Sequence, residues 1–158
     1  CAANYARKDD LKSAASLPGH APARRPSPEA YLKEGITSVL CGDYNVVPTP
    51  LDAVVPRRWT GDAVYFPESR QAYAEMLDNG WMDAVRTIHP EKGIYTYWNF
   101  SYRGGYDRSS GLRMDHLLVS PSLSNRLRDA GVDADLRSWE KPSDHVPAWI
   151  ELDLSATS

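Results

Sequence analysis

Three short clusters hold the residue types that hydrolytic chemistry uses. The first is Gly42-Asp43-Tyr44-Asn45, where a β-rich run ends abruptly at a glycine able to turn the backbone sharply. Asp43 and Asn45 are two apart, so on an extended segment both point to one side. A carboxylate beside a carboxamide suits a phosphate ester. The Asp handles a proton or a metal-bound water, and the Asn amide donates to a phosphate oxygen. The same residues equally describe an Asx turn capping a strand. The second cluster is Arg113-Met114-Asp115-His116, a charged interruption in an apolar run. Period two sends Met114, His116 and Leu118 to one side and Arg113, Asp115 and Leu117 to the other. An inward carboxylate needs a partner; the alternative is an Arg–Asp surface pair. The third is Ser143-Asp144-His145. Its imidazole can take a proton or, charged, stabilise a phosphorane, provided a carboxylate fixes its tautomer. Asp144 or a more distant Asp can serve; the alternative is a turn with a Ser cap.

The run Tyr95-Thr96-Tyr97-Trp98-Asn99-Phe100 alternates Tyr95, Tyr97 and Asn99 against Thr96, Trp98 and Phe100. It builds core, or it stacks on an unpaired base or sugar while the adjoining Arg103 and Arg108 hold phosphates. Other chemistries lack their residues. No HExxH, CxxC or zinc-spaced Cys/His set exists, no Walker A or GxGxxG, and no GxSxG. His20 and His89 belong to no cluster.

These groups need elements to carry them. Ser27-Pro28-Glu29 reads as a helix start and Gly35 as its stop. Ile36–Cys41 reads as a strand, the Pro48 to Pro56 stretch as a loop, and 67–79 as a helix with Tyr73, Met76 and Leu77 on one face. Trp81–Ile88 reads as a short helix and Ile94–Trp98 as a strand. Leu112–Ser120 reads as a strand, Pro121 to Ala130 as a helix, and Val132–Trp139 and Val146–Leu154 as strands. Alternating strands and helices predict an α/β or layered α+β domain, with part of the sheet antiparallel or mixed.

Composition narrows the setting. The chain has 158 residues, 42% of them hydrophobic and 25% charged, which excludes coiled-coil, collagen-like and wholly disordered classes. Net charge is −3, so any nucleic-acid contact is a local patch and not a general coating. No apolar run approaches the roughly 18 residues of a membrane span. Two cysteines make no disulfide framework and favour a reducing compartment. Residues 1–27 are rich in Ala, Pro and basic side chains and read as a poorly structured lead-in. Residues 28–154 read as globular and 155–158 as a tail. Residue 1 is Cys, not Met, which suggests a processed, trimmed or partial chain.

In order, GDYN, YTYWNF, GLRMDHLLVS and EKPSDHVPAW closely resemble the C-terminal half of the exodeoxyribonuclease III family, apurinic/apyrimidinic (AP) endonucleases of the endonuclease/exonuclease/phosphatase superfamily. The resemblance runs from about Lys33 to Leu152. It implies half of a four-layered α/β sandwich, one mixed β-sheet with flanking helices. It implies a bacterial cytoplasmic DNA-repair hydrolase that cuts double-stranded DNA at abasic sites or trims 3′ ends with Mg²⁺, or Mn²⁺ in its place. It assigns catalysis to Asp43, Asn45, Asp115 and His145, with Asp115 orienting His145. Metal contacts fall to Asp43, Asn45, Asp144 and His145. DNA contacts fall to Tyr97 and Trp98, packing on the abasic sugar, and to Arg103, Arg108 and Arg113. Departures are plain as well. The family's N-terminal Asn, metal-binding Glu and Tyr motifs are absent, and Asn99 stands where many members have Asp. The expectation is therefore a fragment that depends on a missing half, or oligomerises, and is inactive alone. The alternatives are a non-catalytic DNA- or protein-binding remnant and a superfamily phosphodiesterase for another substrate.

Overall fold

A computed structural model describes residues 27–91, 93–100 and 106–155. Helix α1 (Pro28–Lys33) begins where Ser27 accepts from the Ala30 N–H, with proline in the first turn. Strand β1 (Val39–Asp43) follows. Helix α2 (Pro67–Asp78) ends at Asn79 and Gly80, whose φ of 113° favours glycine. Strand β2 (Met82–Asp83) leads directly into helix α3 (Ala84–Ile88), because the Asp83 side chain accepts from the Arg86 N–H and caps it. Strands β3 (Asp115–Val119), β4 (Leu127–Val132) and β5 (Ala148–Leu152) complete the order. None of the described helices is long and apolar enough to cross a membrane.

The α/β character stands, but the sheet differs from the expected single mixed one. Among the described residues the strands form an antiparallel β1-β3-β2 sheet and a separate antiparallel β4-β5 pair. One face of the first sheet carries Leu40 and Leu118, packed with Tyr73, Met76 and Leu77 of α2 and with Trp81. The other carries Leu117 and Val119, packed with Ala84, Val85 and Ala130 and with Ile150 and Leu152 of β5. Strand β1 pairs only with β3, and Ile36 and Val39 stay more than a third exposed.

Several local expectations shift for identifiable reasons. Pro121–Arg126 forms 3₁₀ turns, and β4 begins at Leu127, in place of one helix to Ala130. Pairing with β5 overrides local preference. Gly131 lies opposite Trp149, and a Cβ there would come within 2.7 Å of the indole. The strand foreseen at Val132–Trp139 gives way to a 3₁₀ segment, Ala134–Ser138. Ile94–Trp98 is not a ladder strand, because its hydrogen bonds divide between two neighbours. The Thr96 and Tyr97 N–H groups donate to the Leu112 carbonyl, the Trp98 N–H donates to Asp144, and the Val146 N–H donates to Thr96. This segment ties the approach to β3 to the turn before β5.

The proline-rich loop holds Asp52, which is fully buried. One of its oxygens accepts from the N–H and hydroxyl of Thr49 at 3.0 and 2.7 Å. The other takes Arg113 Nε at 2.6 Å and Arg86 Nη2. Arg113 Nη1 reaches Asp83 at 2.8 Å. Arg113 is 1% exposed, so its expected place among the DNA contacts is corrected: both carboxylates draw it into the interior. It precedes β3, so strand alternation does not govern it. Burial alone would raise the Asp52 pKa, but the guanidinium of Arg113, its hydrogen bonds and Arg86 outweigh that and hold it below its ordinary value. Arg113→Met strands two buried carboxylates. Chemical denaturation should show a loss of about 3–5 kcal/mol, against almost none for a surface arginine.

Candidate active site

The β1–β3 register places Asp43 directly opposite Asp115. Opposed residues of an antiparallel pair project from the same face. Two further bonds fix Asp115 and its neighbour: the N–H groups of Met114 and Asp115 both donate to Thr96 Oγ1 at 3.1 Å. The same segment delivers His145, through a bridge between Tyr97 and His145. His145 Nδ1 lies 2.7 Å from Asp115 Oδ2, and Nε2 lies 4.0 Å from Asp43 Oδ2. The more distant carboxylate, not Asp144, is therefore the histidine's partner.

The Asp43–Asn45 segment is not extended. Strand β1 continues through Gly42, and the turn comes at Asn45, whose φ is 50°. Asn45 is among the few residue types that tolerate this region. Its N–H donates to Asp43 Oδ1 at 2.8 Å. The Asx turn and the placement of a carboxylate are thus one feature. Ser143 acts likewise as a local cap, its Oγ accepting from the His145 N–H at 3.2 Å. The His145 pKa is raised above 6.5. The hydrogen bond that His145 donates to Asp115 is the main cause, burial opposes it, and the charges of Asp115, Asp43 and Asp144 add to it. With Nδ1–H held by Asp115, Nε2 faces Asp43 at 4.0 Å, so both groups border the same point on the surface.

Residues 12–145 match the model of the Endonuclease/Exonuclease/phosphatase family. The chain belongs to that family. It is 40% identical to exodeoxyribonuclease III of Haemophilus influenzae over 72% of this chain and 45% of the relative. It is 34% identical to an exodeoxyribonuclease of Bacillus subtilis over 73% of this chain and 44% of the relative. Among solved structures, an AP endonuclease from Archaeoglobus fulgidus superposes with a TM-score of 0.71 at 35% identity, covering 80% of this chain and 51% of the other. A 3′ phosphatase from Neisseria bound to a product DNA hairpin gives 0.70 at 38% identity, covering 80% and 50%. The chain spans about half the length of the curated relatives it matches. The family match opens at residue 12, inside the stretch that the motifs set apart from the family.

In this family member the structure brings Asp43, Asp115 and His145 together, with exposed Asn45 beside them. Asp144 is adjacent; its carboxylate accepts from Ser143 Oγ at 3.4 Å and its carbonyl from the Trp98 N–H. Among the described residues no three His, Cys, Asp or Glu side chains are placed to hold a metal ion. A hard divalent cation needs only one or two carboxylates beside water and phosphate oxygens, so Asp43, Asn45 and Asp144 would hold it in part, while His145 Nδ1 is already committed to Asp115. Tyr97 lies on the catalytic side, its ring 5.1 Å from that of His145 and its hydroxyl donating to Asn99 Oδ1. Trp98 does not. Alternation turns it inward, to 9% exposure, against Tyr95 and Tyr106. Its assignment to the sugar contact is corrected to packing. Arg108 is exposed on a 3₁₀ turn, and Arg103 lies outside the described residues.

Two residues the motifs did not mark out stand behind Tyr97. Leu112 and Met114 are buried with Val47 and Ala53, and Tyr97 packs against them. The alternation of the Leu112–Ser120 run was the available signal for Met114. For Asp52 it was the Thr49-x-x-Asp52 capping spacing.

A histidine with a raised pKa contributes stability that is complete below its unfolded value. That increment is lost as pH rises through the folded value. Asp115→Asn removes the main raising interaction. NMR titration of the His145 ring should then show its midpoint falling below that of wild type. The stability gained from this group on acidifying from about pH 8 to about pH 6 should shrink with it.

Proposed function

We propose that this chain carries the proton-handling part of a DNA phosphodiesterase acting at abasic sites or 3′ ends. The observation that carries this reading is the pairing of His145 with Asp115 while its other nitrogen faces Asp43. Members of this family named exodeoxyribonuclease and AP endonuclease support the substrate class.

In this reading a phosphate oxygen accepts from His145 Nε2–H while Asp43 holds the attacking water beside it. A charged His145, favoured by its raised pKa, stabilises the negative charge that builds on phosphorus. Asp43 takes a proton from the attacking water as the new P–O bond forms. The P–O3′ bond breaks, and the departing oxygen is protonated from solvent or from His145. Asn45 presents its carboxamide from the turn to a non-bridging oxygen. Tyr97, backed by buried Leu112 and Met114, gives an aromatic wall beside the imidazole for a sugar that has lost its base. A divalent cation such as Mg²⁺ neutralises phosphate charge in chemistry of this kind. The described residues do not complete a site for one, so no step is routed through it.

That incomplete donor set favours a second reading, a non-catalytic DNA-binding protein. Incubation of purified chain with abasic-site duplex in Mg²⁺ or Mn²⁺ separates the two. Hydrolysis should give a nick at the lesion, and Asp43→Ala or His145→Ala should each reduce its rate by about 10²-fold or more. Salt-dependent binding of the same duplex with no nick from wild type would select the second reading.

A further inference from the structure

His116 is the neighbour of Asp115, and the proposed chemistry does not use it. It is fully buried on the opposite side of β3. Its bonds run to the loop that carries Asn45. Nε2 lies 3.0 Å from the carbonyl of Val46, the residue after Asn45. Nδ1 lies 3.0 Å from Arg113 Nη1 and 3.3 Å from the Tyr73 hydroxyl. The Tyr73 hydroxyl itself donates to Asp83 at 2.8 Å.

These contacts leave one protonation state. An arginine only donates, so Nδ1 must accept from it. The ring proton then sits on Nε2 and donates to Val46. Val46 is 4% exposed, so its carbonyl has little access to water. A buried acceptor without a donor costs about 1–3 kcal/mol. Rotating that peptide away would displace the backbone of Val46, where the chain leaves Asn45 and its bond to Asp43.

We propose that His116 is a positioning residue for the catalytic face. Held by Arg113 through Nδ1, it pins the Val46 carbonyl through Nε2–H and so braces the backbone that leaves Asn45, whose N–H rests on Asp43. The role in turnover rests on the phosphodiesterase reading; the geometric role does not.

Two substitutions separate the two ring nitrogens. His116→Asn keeps an acceptor near Nδ1 for Arg113 and loses the reach to Val46. His116→Gln extends an amide donor toward Val46. NMR on the purified chain reads the amide shifts of Asn45 and Val46, with the β4–β5 amides as an internal control. His116→Asn should move the Asn45 signals, and His116→Gln should leave them near wild type, with β4–β5 unchanged in both. Where wild type cleaves abasic duplex, His116→Asn should lower kcat by roughly 10- to 100-fold with KM nearly constant, and His116→Gln should recover most of it. Unmoved Asn45 signals in His116→Asn overturn the proposal. Equal disturbance of Asn45 and the β4–β5 control does so too, since that would mark simple packing. Should a variant not fold, nitrogen-15 correlation of the wild-type ring decides: an Nδ1–H tautomer overturns the proposal, and Nε2–H supports it. Absence of cleavage with the expected Asn45 shifts rejects the phosphodiesterase reading and leaves the positioning role standing.

Discussion

The architecture depends on one buried arginine. Arg113 joins the proline-rich loop, through Asp52, to the β2–α3 junction, through Asp83. It does so at the residue where the chain enters the catalytic segment. Each acid also has a local duty. Asp52 closes the turn begun at Thr49, and Asp83 caps α3. The guanidinium therefore links elements that their own backbone bonds already shape. Buried ion pairs contribute less to stability than their distances suggest, because desolvation offsets the attraction. What this one supplies is a fixed relative position. An apolar replacement could fill the space, but it would leave Asp52 and Asp83 without the directional donors that set their spacing.

The candidate cluster was legible for a physical reason. A carboxylate inside an apolar strand is expensive, so Asp115 stood out, while Asp43 and His145 lay in polar clusters at the ends of such runs. Which acid partners the histidine was not legible, because it depends on strand register. Asp43 faces Asp115 only once β1 pairs with β3, and His145 joins them only through Thr96–Trp98. The choice between an Asx turn and a functional Asp–Asn pair also dissolves on inspection, since the Asn45 N–H bond to Asp43 orients the carboxylate.

The misjudged residues share a cause. The resemblance implied a DNA-facing place for Arg113. Its partners lie 61 and 30 positions away in sequence, beyond any local pattern. Trp98 looked like a partner to Tyr97 because they are adjacent, yet adjacency in an extended segment means opposite faces. Alternation had already divided them. The helix foreseen after Pro121 and the strand after Val132 failed because β4 answers to β5, and Gly131 is small where Trp149 needs room. In each case a contact distant in sequence outweighed the local signal.

Two imidazoles show how neighbouring surroundings set opposite roles. His145 keeps a carboxylate on Nδ1 and other acids near, so its charged form is favoured. His116 is desolvated and faces Arg113, so its pKa falls to about 4 and it stays neutral near pH 7. The difference follows from the two sides of β3. Asp115 projects toward the catalytic face and meets His145, while His116, one residue on, projects into the core and meets a cation. A strand with period two can thus feed a reactive histidine from one side and brace the loop opposite it from the other. The polarity of the candidate site is set by which face each residue occupies.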